Sequence, residues 1–172
     1  MPDFTDQNVA KCPVPELNRI WIEDSFTWMI SHFGQQVLQR PLLVPDVNHF
    51  PIKFNGQLSC AEEAMKIIAH QMEVSPEIVK LHVYQEGLRE IAMGTGRIFL
   101  EQVDGQKYSS GLYHGSDDDG LFHIGLEKKT LTDPEKLIAV LAHELAHIKL
   151  LGEKRIKKNN EHLTDLTTVF LG

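Results

Sequence analysis

The chain has 172 residues, of which 42 % are hydrophobic and 24 % charged, and it carries a formal net charge of −7. That is the size of one domain with room for a sizeable core, and no stretch approaches the roughly 18 to 20 apolar residues of a membrane span. The acidic balance gives no general electrostatic reason to hold nucleic acid, and Cys12 and Cys60, far apart and without CxxC spacing, exclude a disulfide framework and a cysteine zinc knuckle.

Any metal site must therefore use His, Asp or Glu. The opening "MPDFTDQNVAKCPVPELN" lacks the basic start and apolar stretch of a secretory signal, so a soluble, cytoplasmic location with no membrane partner is expected.

In chain order, residues 1–22, with Pro2, Pro13 and Pro15, read as an irregular arm. A helix is expected over 23–40, where Phe26, Ile30, Phe33 and Val37 recur at helical spacing. Pro41, Pro45 and Pro51 then break the chain. Ser59 with Glu62 forms a capping-box pattern ahead of a helix over 60–72. Residues 78–84 and 98–103 read as strands, and Asp104-Gly105 is a hairpin signal that returns the chain through 107–113. The loop "HGSDDDG" is no EF-hand, because Lys128 stands where the loop's last glutamate would be; it reads as a solvated turn. Likewise "GTGR" lacks the context of a phosphate loop. Residues 121–127 form a further strand. The whole is an α+β pattern in a single 172-residue domain, a small, mostly antiparallel sheet packed against helices.

The next helix carries the informative motif, "LAHELAHIKLLG". Thr132 or Asp133 can cap it, Pro134 suits its first position, Glu135 its positive end and Gly152 its termination, which predicts a helix over 134–151. Leu137, Val140, Leu141, Leu145, Ile148 and Leu151 cover a wide apolar arc, so this helix is expected to be central. His143 and His147 lie about 40° apart in azimuth and one turn apart in height, and both imidazoles can face a common centre. Glu144 is splayed about 100° from His143, badly placed as a ligand but able to reach a water on the metal as general base.

Catalytic zinc usually has three protein ligands and one open position. Downstream, "EHLTDLTTVFLG" has helical spacing, with Leu163, Leu166 and Phe170 on one side and Glu161, Thr164, Asp165 and Thr168 on the other. Glu161 is assigned to the metal and Asp165 to the free N–H of His143 or His147. His162 is the rival ligand, with its direction about 100° from Glu161, and Asp165 itself is a third candidate. The basic run Lys154, Arg155, Lys157 and Lys158 reads as a solvated connector. His32, His49, His70 and His82 read as surface or satisfied core histidines.

"HELAH" followed by "EHLTD" resembles the gluzincin metallopeptidases, with HExxH on one helix and ExxxD on the next, and bacterial proteins with a minimal version of that domain. The likeness covers residues 121–170, with "LFHIGLE" similar to the edge strand beside the cleft. It implies a zincin-like fold, Zn2+, and hydrolysis of a peptide or protein substrate. Larger gluzincins supply a transition-state His or Tyr from a region beyond the ligand glutamate; here the donor is expected upstream, from Tyr108, Tyr113, His114 or His123. Glu144 would deprotonate the attacking water and hand the proton to the leaving amine. The competing expectation is a catalytically silent, metal-binding interaction module with a peptide cleft; a protease associated with nucleic acid rests on the basic connector alone.

Overall fold

The computed structural model of the chain describes residues 12–84, 90–93, 96–99 and 111–172. Helix α1 (Glu16–Phe33) begins directly after Pro15, inside the stretch expected to be an irregular arm. It stops at Gly34, whose φ of 87° only glycine adopts readily. A 3₁₀ turn, Gln35–Gln39, follows and buries Val37. The helix expected over 23–40 is thus shifted upstream and split, because one glycine in a left-handed conformation ends it.

Helix α2 (Leu58–Gln71) starts one residue before Ser59, with Gln57 at its N-cap and no side-chain cap bond, so the expected capping box does not form. Its face of Ala61, Ala64, Met65, Ile68 and Ala69 is buried, and the small residues on it let another helix come close. A single 3₁₀ turn, Pro76–Ile78, leads into strand β1 (Val79–Tyr84). Strands β2 (Glu90–Met93) and β3 (Gly96–Phe99) pair antiparallel, so β3 begins before the expected residue 98 and β2 is an addition to the reading. The hairpin signal at Asp104-Gly105 lies outside the described residues.

Strands β4 (Gly111–Ser116) and β5 (Phe122–Glu127) join β1 in a sheet of order β1-β5-β4. Here β5 pairs parallel with β1, from Val79↔Phe122 to Tyr84↔Glu127, and antiparallel with β4, with a bulge between Tyr113 and Ser116. The sheet is therefore mixed, and "LFHIGLE" is its central strand; among the described residues the outer positions fall to β1 and β4, not to β5 as expected. The reason is the parallel partner β1, which lies far upstream and leaves no local trace in the sequence. The turn between β4 and β5 is ordered rather than merely solvated: Asp117 Oδ1 accepts from the backbone N–H of Asp119 and Leu121, at 3.0 and 2.8 Å.

Helix α3 (Pro134–His147) starts as its sequence predicts, with the Asp133 side chain accepting from Lys136 N at 3.1 Å and Pro134 at the first position. Leu137, Leu141 and Leu145 are fully buried and share one core with Ala61, Ala64, Ile68, Ile124, Leu126, Met29 and Phe170. Instead of running on to residue 151, the helix widens after His147 into a π turn, Ile148–Gly152. Gly152 has a packing role there: a Cβ on it would meet the Phe122 ring at 2.8 Å, closer than packed atoms approach.

The connector after the π turn is anchored as well as solvated. Buried Lys149 donates to Glu153 at 2.6 Å, and Arg155 bonds both Glu153 and the carbonyl of His32, with its guanidinium over Phe33.

Helix α4 (Glu161–Leu171) is capped by Asn160, which accepts from Leu163 N at 3.1 Å. It packs on α3 and α1. The buried face is Thr164, Thr167, Phe170 and Leu171, whereas Leu163 and Leu166 are only half-buried, a correction to the apolar side expected from their spacing. Both threonine hydroxyls donate to backbone carbonyls of their own helix, Asn160 O at 3.1 Å and Leu163 O at 2.7 Å, so burying them leaves no donor unpaired. No helix among the described residues is long and apolar enough to cross a membrane.

Candidate metal centre

Two helix ends make the site. The last turn of α3 carries His143, Glu144 and His147, and the first turns of α4 carry Glu161, Thr164 and Asp165. One ligand atom each from His143, His147 and Glu161 lies within 4.8 Å of the others, a grouping that could hold a metal ion. The i, i+4 spacing of His143 with His147 and of Glu161 with Asp165 puts each pair on one face of its helix.

Asp165 Oδ1 lies 2.8 Å from His143 Nδ1. An ionised carboxylate only accepts, so Nδ1–H is the donor and the aspartate fixes the ring orientation. On the other side of that ring, Glu161 Oε2 stands 3.1 Å from His143 Nε2 and 3.6 Å from His147 Nε2. A tetrahedral ion with nitrogen and oxygen ligands at about 2.0 to 2.2 Å sets neighbouring ligand atoms about 3.3 to 3.5 Å apart. The two measured separations bracket that range.

The second imidazole is polarised in the same sense. Thr164 Oγ1 donates its only proton to Asn160 O, so at 3.4 Å from His147 Nδ1 it can serve only as acceptor. That contact favours the proton on Nδ1 of His147 and leaves the Nε2 lone pair toward Glu161. Burial, reinforced by neighbouring His143, holds His147 below its ordinary pKa, against the opposing pull of Glu161 and Asp165, which also favours a neutral, ligand-competent ring.

Glu144 completes the set from beside it. Its side chain is 4 % exposed, and its Oε2 has no hydrogen-bond partner among the described residues. Burial, with a further contribution from the charge of Glu161, pushes its pKa up to about 8. A buried carboxyl oxygen with nothing to bond is expensive in a purely structural setting. Beside two imidazoles and a carboxylate it fits a group that works on a water or a substrate, so the donor set and the orphaned oxygen both suit a divalent ion.

Tyr113, on β4, lays its ring on His147, with centroids 5.5 Å apart and planes at 21°. Burial raises its phenol above the ordinary value. Of the other upstream candidates, His123 spends both ring nitrogens elsewhere, on Asp117 at 2.9 Å and on His82 at 2.8 Å. Tyr108 and the side chain of His114 lie outside the described residues. His162, the rival ligand, is not part of that grouping and sets its ring edge-on to Trp21 of α1, 6.3 Å between centroids.

Sequence reasoning did not single out Thr164 as a partner of His147, although it placed Thr164 on the same helix side as Glu161. It also missed Tyr84, whose hydroxyl burial and the charges of Glu127 and Glu144 push up to about 12. The strand that holds Tyr84 was legible, but its approach to Glu144 depends on tertiary packing.

No family model, no curated protein and no solved structure matches this chain.

Proposed function

We propose that the chain is a zinc-dependent metallopeptidase of gluzincin type that hydrolyses peptide bonds in a peptide or protein substrate. His143, His147 and Glu161 would hold the ion, Asp165 would orient the ring of His143, and Thr164 would favour the Nδ1–H tautomer of His147. The observation that carries the proposal is the buried Oε2 of Glu144, without a hydrogen-bond partner among the described residues, next to that three-residue cluster. Bound zinc supplies Lewis acidity, lowering the pKa of water and polarising a carbonyl.

The chain's own residues would then divide the work. Glu144 Oε2 takes a proton from the attacking water as its oxygen bonds to the carbonyl carbon. The same oxygen releases that proton to the amine nitrogen as the C–N bond breaks. Strand β4, an outer strand of the sheet among the described residues and in contact with α3, would take the place the resemblance gave to β5, alongside an extended substrate.

The test is Glu144→Gln, assayed for zinc content and for cleavage of an unstructured protein substrate. The variant should keep about one zinc per chain and lose cleavage by on the order of a thousandfold, the scale of a general base. Retained cleavage would overturn the assignment of Glu144. Stoichiometric zinc with no cleavage in the wild type would instead favour the interaction module.

A further inference from the structure

The two imidazoles of the site are held by different means. His143 has a short, charge-assisted hydrogen bond from Nδ1 to Asp165, at 2.8 Å. Among the described residues His147 Nδ1 has the long contact to Thr164, at 3.4 Å, near the limit at which a hydrogen bond constrains a ring. Something else must set the plane of His147.

Packing does. His143 meets the ring edge-on, 4.8 Å between centroids at 85°. Tyr113 lies nearly parallel to it, at 5.5 Å and 21°. Tyr113 is itself backed by Phe122 of β5, also near parallel, at 6.0 Å and 22°. Phe122 in turn is pressed by Gly152 of the π turn, where any side chain would strike its ring. Three rings therefore stack from the central strand through the outer strand to the helix. Their far end is closed by the π turn that begins one residue after His147.

We infer that Tyr113 is a positioning residue: the Phe122–Tyr113 stack holds the imidazole plane of His147 so that Nε2 faces the shared ligand position. It does by ring packing what Asp165 does for His143 by hydrogen bonding. This rests on the metal-binding part of the function proposed above. It assigns the ring of Tyr113, not its hydroxyl, and so differs from the role of transition-state donor.

The experiment compares Tyr113→Phe and Tyr113→Leu in the full chain by two readouts. The first is Zn2+ affinity, by competition with a chromophoric chelator. The second is the tautomer of His147 in the chelated protein, from nitrogen-15 shifts of its ring. Phe should hold affinity within about twofold of wild type, and Leu should weaken it by about ten- to a hundredfold, the range for residues that orient a ligand. In the chelated protein, wild type and Phe should show one dominant Nδ1–H tautomer and Leu a mixture.

Wild-type affinity and tautomer in Leu would overturn the inference, and so would a Phe variant as weak as Leu, which would give the role to the hydroxyl. Should Leu fail to fold, Gly152→Ala reaches the same stack from its far end and should weaken Zn2+ binding while Tyr113 remains. If wild type binds no Zn2+, the proposed function fails, yet the tautomer comparison still decides the role of the stack.

Discussion

Of the places in this molecule where an aspartate grips a histidine, two are clusters that draw in further side chains, and these two end differently. On the sheet, Asp117 Oδ2 accepts from His123 Nε2 at 2.9 Å, and His123 Nδ1 meets His82 Nε2 at 2.8 Å. Each donor there has an acceptor, and the chain of bonds closes between β1, β5 and their adjoining turn. Between α3 and α4, Asp165 grips His143 in the same way, but the free nitrogens of two imidazoles converge on one carboxylate oxygen, and Glu144 Oε2 has no hydrogen-bond partner among the described residues. One cluster is satisfied by the protein alone. The other has surplus acceptors that a cation would resolve, and that surplus, rather than the presence of histidines, separates a site from a strut.

The largest expected effect breaks the comparison directly. Glu161→Ala removes one of the three proposed ligands and should cut Zn2+ affinity by at least about a hundredfold, more than loss of an orienting residue does. His123→Ala disrupts the satisfied cluster and should leave Zn2+ affinity unchanged while lowering the thermal midpoint. Equal affinities for the two variants would mean that the α3–α4 cluster is no more a metal site than the sheet cluster is.

A second expectation concerns stability in the metal-free protein. Glu144 has its pKa raised from the ordinary 4.5 to about 8, mainly by burial. Between those values the folded chain binds more protons at this group than the unfolded chain does, so its contribution to stability falls as pH rises through the window. Glu144→Gln cannot ionise, and in chelator at pH 8.5 it should be more stable than wild type by about 1 to 3 kcal/mol, the gain trimmed by an amide that also needs partners. Urea unfolding at pH 5 and 8.5 checks this. A wild-type minus variant difference that does not change with pH would show that Glu144 is not strained by its burial.

What was legible in the sequence follows from which interactions are local. The start of α3 was readable because Asp133, Pro134 and Glu135 act within one turn. The pairing of His143 with His147 and of Glu161 with Asp165 was readable because a helix repeats its faces by fixed geometry. The end of α3 was not, since its π turn answers to Gly152 packing on Phe122, a contact between elements. Nor was the strand order, because the parallel neighbour of β5 is distant in sequence. The inward face of α4 was misread for a chemical reason: Thr164 and Thr167 satisfy their hydroxyls on their own backbone and can be buried, which a polarity pattern does not register. That misreading hid the partner of His147.

The smallest effect sharpens the contrast by its sign. In the sheet cluster, burial and neighbouring His123 lower the pKa of His82, so the unfolded chain takes up its proton first as pH falls. The stability contributed by neutral His82 is complete above its unfolded value of 6.5 and is lost on acidification below it. The carboxyl of Asp117 is held below its ordinary 3.8, chiefly by the hydrogen bond from His123, and its contribution is lost further down, as pH falls through that depressed value. Acid therefore loosens the sheet cluster in two steps, while over pH 8 to 4.5 it relieves Glu144. Thermal midpoints of chelated His82→Gln and wild type, compared from pH 7.5 down to 5, should converge as pH falls. A constant gap would mean that protonation of His82 is not what acid does to the sheet, and that the closed chain of bonds is indifferent to its own charge.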